Sequence, residues 1–298
     1  MAAKSKTLTL AQHRSYNPKG RVLLVALFTL LGIAVLLPFF AILLASFKPA
    51  SELLRYGLNL RLDWDIMSWN NYVYLFTGYM PDGTYITHDY LLWFRNSVVL
   101  TLIQTGLTLM VSAWVGYGFA MYQFRGKDLI FACLLLILMI PFEILMLPMY
   151  SQANTMGLLD SIWGVMLPFL AQVTTIFFFR QYLQGIPKDI VDADRVDGAT
   201  EYGIFFRLVL PIMKPAMSAM AILVGMNSWN NFLWPMLVLR SGNKYTLAIG
   251  LNTLLTPYGN NYDILIAGSC FSIIPILILF LCAQKYFIEG MTMGSLKG

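Results

Sequence analysis

A chain of 298 residues that is 58% hydrophobic and only 12% Asp, Glu, Lys or Arg cannot cover its surface in water, because a soluble domain carries roughly 25% charged residues. That excludes an ordinary soluble enzyme. The net charge of +5 is dispersed among polar connections without a basic stripe, so a nucleic-acid surface is the weaker reading.

A bilayer core about 30 Å thick needs about 20 apolar residues per helical crossing. Six runs meet that length: residues 22–46, 97–121, 129–149, 161–183, 215–239 and 264–287. They predict an all-α integral membrane domain over residues 22–289, with short tails at 1–21 and 290–298. The tail before the first run holds Lys4, Lys6, His13, Arg14, Lys19 and Arg21. The run behind it is too long for a secretory signal, whose apolar core spans roughly 7 to 15 residues, so it is read as a retained crossing.

The connection at 47–96 mixes the turn Pro81-Asp82-Gly83 with Trp64, Trp69, Tyr72, Tyr74 and Phe76. That suits a partly folded loop or packed cap at the membrane interface. In the third run, Glu143 is a carboxylate inside apolar sequence, which is costly unless it faces protein or water. It reads as a cavity or gate residue, or as a structural acid near the outer surface.

The connection at 184–214 predicts two short helices. Pro187 can open the first, Ile190, Val191 and Val196 lie near one face, and Gly198 can close it. Thr200 is a candidate N-cap for the second, with Glu201 in its first turn. Tyr202, Phe205, Phe206 and Val209 recur at helical spacing until Pro211 stops the pattern. Such an elbow suits the groove of a soluble partner, or a pair of helices lying on lipid headgroups.

In the fifth run, Asn227, Trp229, Asn230, Asn231 and Trp234 combine indole faces with amides, the pairing that binds sugar rings. Membrane bundles also use amides as interhelical glue. Cys133, Cys270 and Cys282 lie in apolar runs and read as buried packing residues. His13 and His88 sit in polar segments without neighbours at ligand spacing, so no metal is expected. The stretch Gly126-Lys127-Asp128 lacks the hydroxyl of a phosphate-binding loop, so this chain should not bind ATP.

Counting Lys and Arg over alternate connections places fourteen on the N-terminal side and six (Lys48, Arg55, Arg61, Arg95, Arg240, Lys244) on the other. The excess puts both termini in the cytoplasm.

The stretch from Val191 to Thr200 (VDADRVDGAT), followed by Leu208-Val-Leu-Pro211, resembles the signature loop of bacterial binding-protein-dependent ABC importer permeases. There the loop reads Glu-Ala-Ala, three residues, Gly, nine residues, Ile-x-Leu-Pro. Asp192, Ala193 and Asp194 take the opening triplet, Gly198 the glycine, and Leu208, Leu210 and Pro211 the close. Asp192 is one methylene shorter than the family's acid, and Asp194 replaces a small apolar residue. Further likeness lies in Phe94-Arg-Asn-Ser97, Arg125-Gly-Lys127, Ile140-Pro141, Trp229-Asn-Asn-Phe-Leu-Trp234 and the closing GMTMGSLKG. Together these are similar to the second permease of the maltose-type, carbohydrate-uptake subfamily.

The resemblance implies the six-helix type I importer fold in the inner membrane. It implies a second permease, two ABC ATPase subunits that bind ATP and magnesium, and an external sugar-binding protein. Coupling to the ATPase would fall to Asp192, Ala193, Asp194, Asp197, Gly198, Ala199, Leu208, Leu210 and Pro211. A substrate path would involve Asn227, Trp229, Asn230, Asn231, Trp234 and Glu143. The rival readings are an ion-coupled secondary transporter, for which several buried acids and inverted repeats would be expected, and a membrane-embedded enzyme.

Overall fold

The structure is a computed structural model and describes residues 18–79, 89–256 and 259–292. The histidines, the Pro81-Asp82-Gly83 turn and most of both tails lie outside these residues. The described chain is helical apart from one antiparallel pair of two-residue strands, β1 (Leu255–Thr256) and β2 (Gly259–Asn260).

The first apolar run forms α1 (Pro18–Ala45), whose membrane-length stretch Gly20–Ala45 has none of its most apolar window buried in the chain. The following connection folds as a cap: α2 (Ala50–Tyr56) and α3 (Asn70–Thr77). Asn71 anchors it by donating to the carbonyls of Ser46 and Lys48 at 2.9 and 2.8 Å. The Lys48 side chain is wholly buried, and its Nζ donates to Asn59 Oδ1 at 2.6 Å, which meets the requirement that a buried charge be hydrogen-bonded.

Helix α4 (Tyr90–Met121) is the axis of the molecule. It begins seven residues before the second apolar run because Tyr90 and Trp93 are themselves buried. Three of its buried polar residues find partners on neighbouring segments: Tyr90 donates to Gly268 O at 2.9 Å, Thr108 to Phe169 O at 3.1 Å, and Gln104 Oε1 accepts from Ser228 at 3.1 Å. Where no water is at hand, such interhelical bonds and small residues take the place of the hydrophobic effect. At Gly116 a Cβ would lie 3.0 Å from Phe179 Cβ, so glycine sets how closely the next layer approaches.

The third and fourth runs are broken. Helices α5 (Lys127–Ile137) and α6 (Phe142–Thr155) meet at 99°, the break falling at 138–141 before Pro141. Helix α7 (Ile162–Met166) and a 3-10 turn (Leu167–Phe169) lead at 44° into α8 (Val173–Gln184). Next come α9 (Lys188–Val196), α10 (Glu201–Ile204), a π turn (Phe205–Val209) and α11 (Leu210–Ile212). The run 201–212 bends by 77° into α12 (Lys214–Trp229).

The fifth apolar run is therefore not one helix to residue 239. It ends at Trp229, and after a break the chain forms α13 (Leu233–Val238), a 3-10 turn (Gly242–Lys244) and α14 (Leu247–Thr253). The last helix, α15 (Tyr262–Thr292), takes in the first residues of the expected C-terminal tail. Among the described residues three helices (α1, α4, α15) are long and apolar enough to span a membrane, and the number reaches six if each bent pair is one span.

The cysteine expectation is corrected: Cys133 and Cys282 are exposed and Cys270 is half-buried. Positions 133 and 282 lie on apolar helix surface, where a thiol needs no protein cover if lipid supplies it.

Candidate functional site

The elbow from Pro187 to Met213 is built by local rules. Pro187, in extended backbone (φ −59°, ψ 129°), precedes α9 as its N-cap rather than opening it. The helix ends in a Schellman arrangement: Gly198 N–H donates to Arg195 O at 3.1 Å and Ala199 N–H to Asp194 O at 3.0 Å. Gly198 sits at φ +82°, a conformation that costs a residue with a Cβ. Two residues later the Thr200 hydroxyl accepts from Gly203 N–H at 3.2 Å and caps α10.

Pro211 does not stop the second helix as the pattern suggested. Proline has no N–H to close the helical ladder, and here the chain absorbs the defect as the π turn at Phe205–Val209 and continues to Ile212. At the bend that follows, the Tyr182 hydroxyl donates to Ile212 O at 3.2 Å.

Burial divides the elbow into two faces. Inward, Val191, Ile204, Phe205, Val209 and Met213 join one core with Tyr117, Ala120 and Met121 of α4, and Trp114 stacks on Phe205 with centroids 4.2 Å apart. Leu208 and Leu210 rest against the same core, while Pro211 is exposed. Outward, Val196 is 88% and Tyr202 70% exposed, with Ile190 and Phe206 beside them in the exposed class. The expected shared face of Ile190, Val191 and Val196 is thus corrected: α9 buries Val191 alone. Asp192, Ala193, Asp197, Gly198 and Ala199 are exposed and Asp194 is half-buried, and the elbow exposes charges of both signs, Lys188, Arg207 and Lys214 as well as the aspartates.

A carboxylate joins the elbow to the bundle. Glu201 accepts from Arg195 at both oxygens (Nε to Oε1 2.7 Å, Nη2 to Oε2 3.3 Å), from Tyr117 OH at 3.1 Å and from Tyr122 OH. Arg195 also pairs with Asp192 at 2.7 Å and lies over the Tyr122 ring, 5.3 Å from its centroid. The Arg195 guanidinium, followed by the tyrosine hydroxyls, holds the Glu201 carboxyl down at about 2. Sequence reading placed Glu201 only in a first helical turn. Its tyrosines lie 84 and 79 positions earlier, so the only local signal was an acid and an arginine flanking Gly198.

At the far end of α4 a second polar knot joins distant loops. Asp160, in left-handed backbone at φ +54°, accepts from Arg240 N–H (2.9 Å), Ser241 N–H (3.0 Å), Ser241 Oγ (2.6 Å) and Lys244 Nζ (2.9 Å). Hydrogen bonds led by Ser241 hold its carboxyl well below the usual carboxylate range.

Residues 109–292 match the family described as binding-protein-dependent transport system inner membrane component. The chain belongs to this family. Among its relatives, the arabinooligosaccharides transport system permease protein AraQ of Bacillus subtilis (strain 168) is 52% identical, covering 93% of this chain and 96% of that protein. The lactose transport system permease protein LacG of Rhizobium radiobacter is 37% identical over 70% of this chain and 76% of its own. In fold, the chain is similar to a solved bacterial ABC transporter involved in the import of the polysaccharide alginate, with a TM-score of 0.75, 22% identity, and coverage of 91% of this chain and 99% of that one.

Family membership makes the chain an ABC-importer permease in the inner membrane, a transport component and not an enzyme, and it overturns the ion-coupled alternative. The elbow lies within the matched residues. The structure does not gather the residues expected along a substrate path into one cavity. Asn227 and Asn230 are exposed, and Asn231 is half-buried. Trp229 packs edge-on to Phe94 in one cluster, with ring centroids 5.7 Å apart. Trp234 is wholly buried in another, donating from Nε1 to Gly164 O at 3.2 Å, and offers no surface to a sugar. Glu143 is exposed in the first turn of α6, just past the sharp break.

Proposed function

We propose that this chain is one of two permease subunits of a sugar importer, spanning the membrane six times with both termini in the cytoplasm. The bent pairs α5/α6 and α7/α8 each count as one crossing, α12 with the apolar residues that follow it supplies another, and the elbow at 184–214 lies outside the membrane on the cytoplasmic side. There it seats in a cleft of one of two ATPase subunits, which bind ATP and magnesium, while a sugar-binding protein delivers substrate from outside. The cargo is a short oligosaccharide, the class named for the arabinooligosaccharide relative that matches almost end to end.

The observation that carries this reading is the outward face of the elbow. Val196, Tyr202, Ile190 and Phe206 leave apolar surface uncovered beside Asp192 and Asp197, while the chain behind them is closely packed. Apolar surface of that kind is costly in water and is satisfied by a groove with an apolar floor. Asp192, Ala193, Asp194, Asp197, Gly198 and Ala199 form the contact, and Leu208, Leu210 and Pro211 form the arm that carries its movement into α12. Closure of the ATPases on ATP would then move the elbow as a rigid body and open the bundle outward. Asn227, Asn230, Asn231, Trp229 and Glu143 remain candidates for the path where a second permease faces them.

A single cysteine at position 196 tests the arrangement. It should react with a membrane-impermeant maleimide only from the cytoplasmic side, and assembly with the ATPase should protect it. Reaction from outside, or an assembled complex that moves sugar without consuming ATP, would refute the proposal.

A further inference from the structure

We infer that Glu201 is a positioning residue for coupling: it fixes the angle of α9 across the Gly198 link and ties that angle to α4, a helix to which the elbow has no covalent connection nearby. The inference rests on the reading of the elbow as the ATPase contact.

Three observations lead to it. First, α9 has little of its own to hold it, because Val191 is its one buried side chain. A nine-residue helix anchored at one point and joined through a glycine at φ +82° can rotate about that point. Second, Arg195 and Glu201 stand on opposite sides of the glycine, and the two-point contact at 2.7 and 3.3 Å removes that rotation. A guanidinium fork fixes direction as well as distance, which a single ammonium would not. Third, the same carboxylate receives Tyr117 and Tyr122 from the end of α4, and Tyr122 also lies under the Arg195 guanidinium.

Movement of α9 therefore has two routes into the bundle. One runs along the chain, through the π turn and the 77° bend into α12. The other crosses at Glu201 into α4, the helix that also packs on α8 and α12. The apolar core that Ile204 and Phe205 share with Tyr117 holds the second helix in place and reaches α9 at Val191, but one apolar side chain does not fix the direction of a helix. The carboxylate adds directed hydrogen bonds that join α9, α10 and the end of α4.

The test uses the complete importer, with both permeases, its ATPases and its binding protein, in proteoliposomes supplied with labelled arabinotriose and ATP. Glu201→Gln removes the ion pair, and Tyr117→Phe combined with Tyr122→Phe removes the link to α4 while leaving the ion pair. Both should hydrolyse ATP near the wild-type rate while moving about tenfold less sugar per ATP, the scale of losing charge-assisted hydrogen bonds at a pivot. Should Glu201→Gln not insert, Arg195→Lys, which keeps the charge and loses the fork, carries the same test. An unchanged ratio of sugar to ATP, or a proportional loss of both activities, overturns the inference. A wild-type complex that couples no ATP to sugar would instead overturn the proposed function.

Discussion

Arg195 and Glu201 face each other across Gly198, with Nε of the first donating to Oε1 of the second at 2.7 Å. The link between their helices is the four residues 197–200, and its shape is set by the Schellman bonds on one side and the Thr200 cap on the other. A turn bonded at both ends and braced by an ion pair behaves as a bracket rather than a loose joint.

Gly198→Val should impair coupling without impairing insertion. A Cβ at Gly198 would meet nothing within 4 Å, so the penalty is the backbone's own at φ +82°, about 1–2 kcal/mol for an L-residue. Yield from membranes should match wild type, while sugar uptake per ATP in vesicles falls. Normal uptake by this variant would show that the left-handed link is dispensable.

Val196→Arg separates partner binding from folding. The side chain is 88% exposed, so the permease should keep its thermal stability within about 0.5 kcal/mol. A cation placed in the uncovered apolar patch should weaken ATPase association by more than about tenfold, the effect of roughly 1.4 kcal/mol at an interface centre. Capture of the ATPase by immobilised permease measures it.

The charge on Glu201 sets a pH window. Its folded value of about 2 lies below the ordinary 4.5, so the carboxylate contributes stability that is fully present above pH 4.5 and is lost as pH falls toward 2. Infrared difference spectra of wild type against Glu201→Gln should show no protonated carboxyl band from this residue at pH 4. A band at pH 5 would contradict the network.

At the opposite end, Asp160→Asn keeps a side chain that tolerates left-handed backbone but loses the ion pair to Lys244 and part of the bonding to Ser241. Stability in detergent should fall by about 1–3 kcal/mol, the cost of unsatisfying a charged hydrogen-bonded group. Asp160→Ala should fall further, since it adds backbone strain at φ +54°.

Gly250→Ala should be poorly tolerated, because its Cβ would stand 2.0 Å from the Trp93 ring. Overpacking of this kind costs about 1–3 kcal/mol. Trp93→Phe in the same chain should recover part of the loss in a thermal-unfolding assay.

Local chemistry made much of this legible in advance. Apolar runs placed α1, α4 and α15 within a few residues, and glycine and threonine marked the ends of the two elbow helices. Ile140-Pro141 stood where the third run breaks, but proline alone does not give a bend of 99°. The fifth run read as continuous because residues 230–239 are as apolar as a crossing. What they bury is Trp234 against the carbonyl of Gly164, a contact 70 positions away. The burial of Val191 instead of Val196, and the recruitment of Tyr117 and Tyr122 by Glu201, are likewise tertiary choices between residues of equal local merit.

The knot at Asp160 holds loops together by several short bonds to backbone and side chain, while α9 is oriented by one carboxylate. On the proposed reading, a displacement entering at the elbow would meet those bonded loops at the opposite end, and the helices between them would take it up.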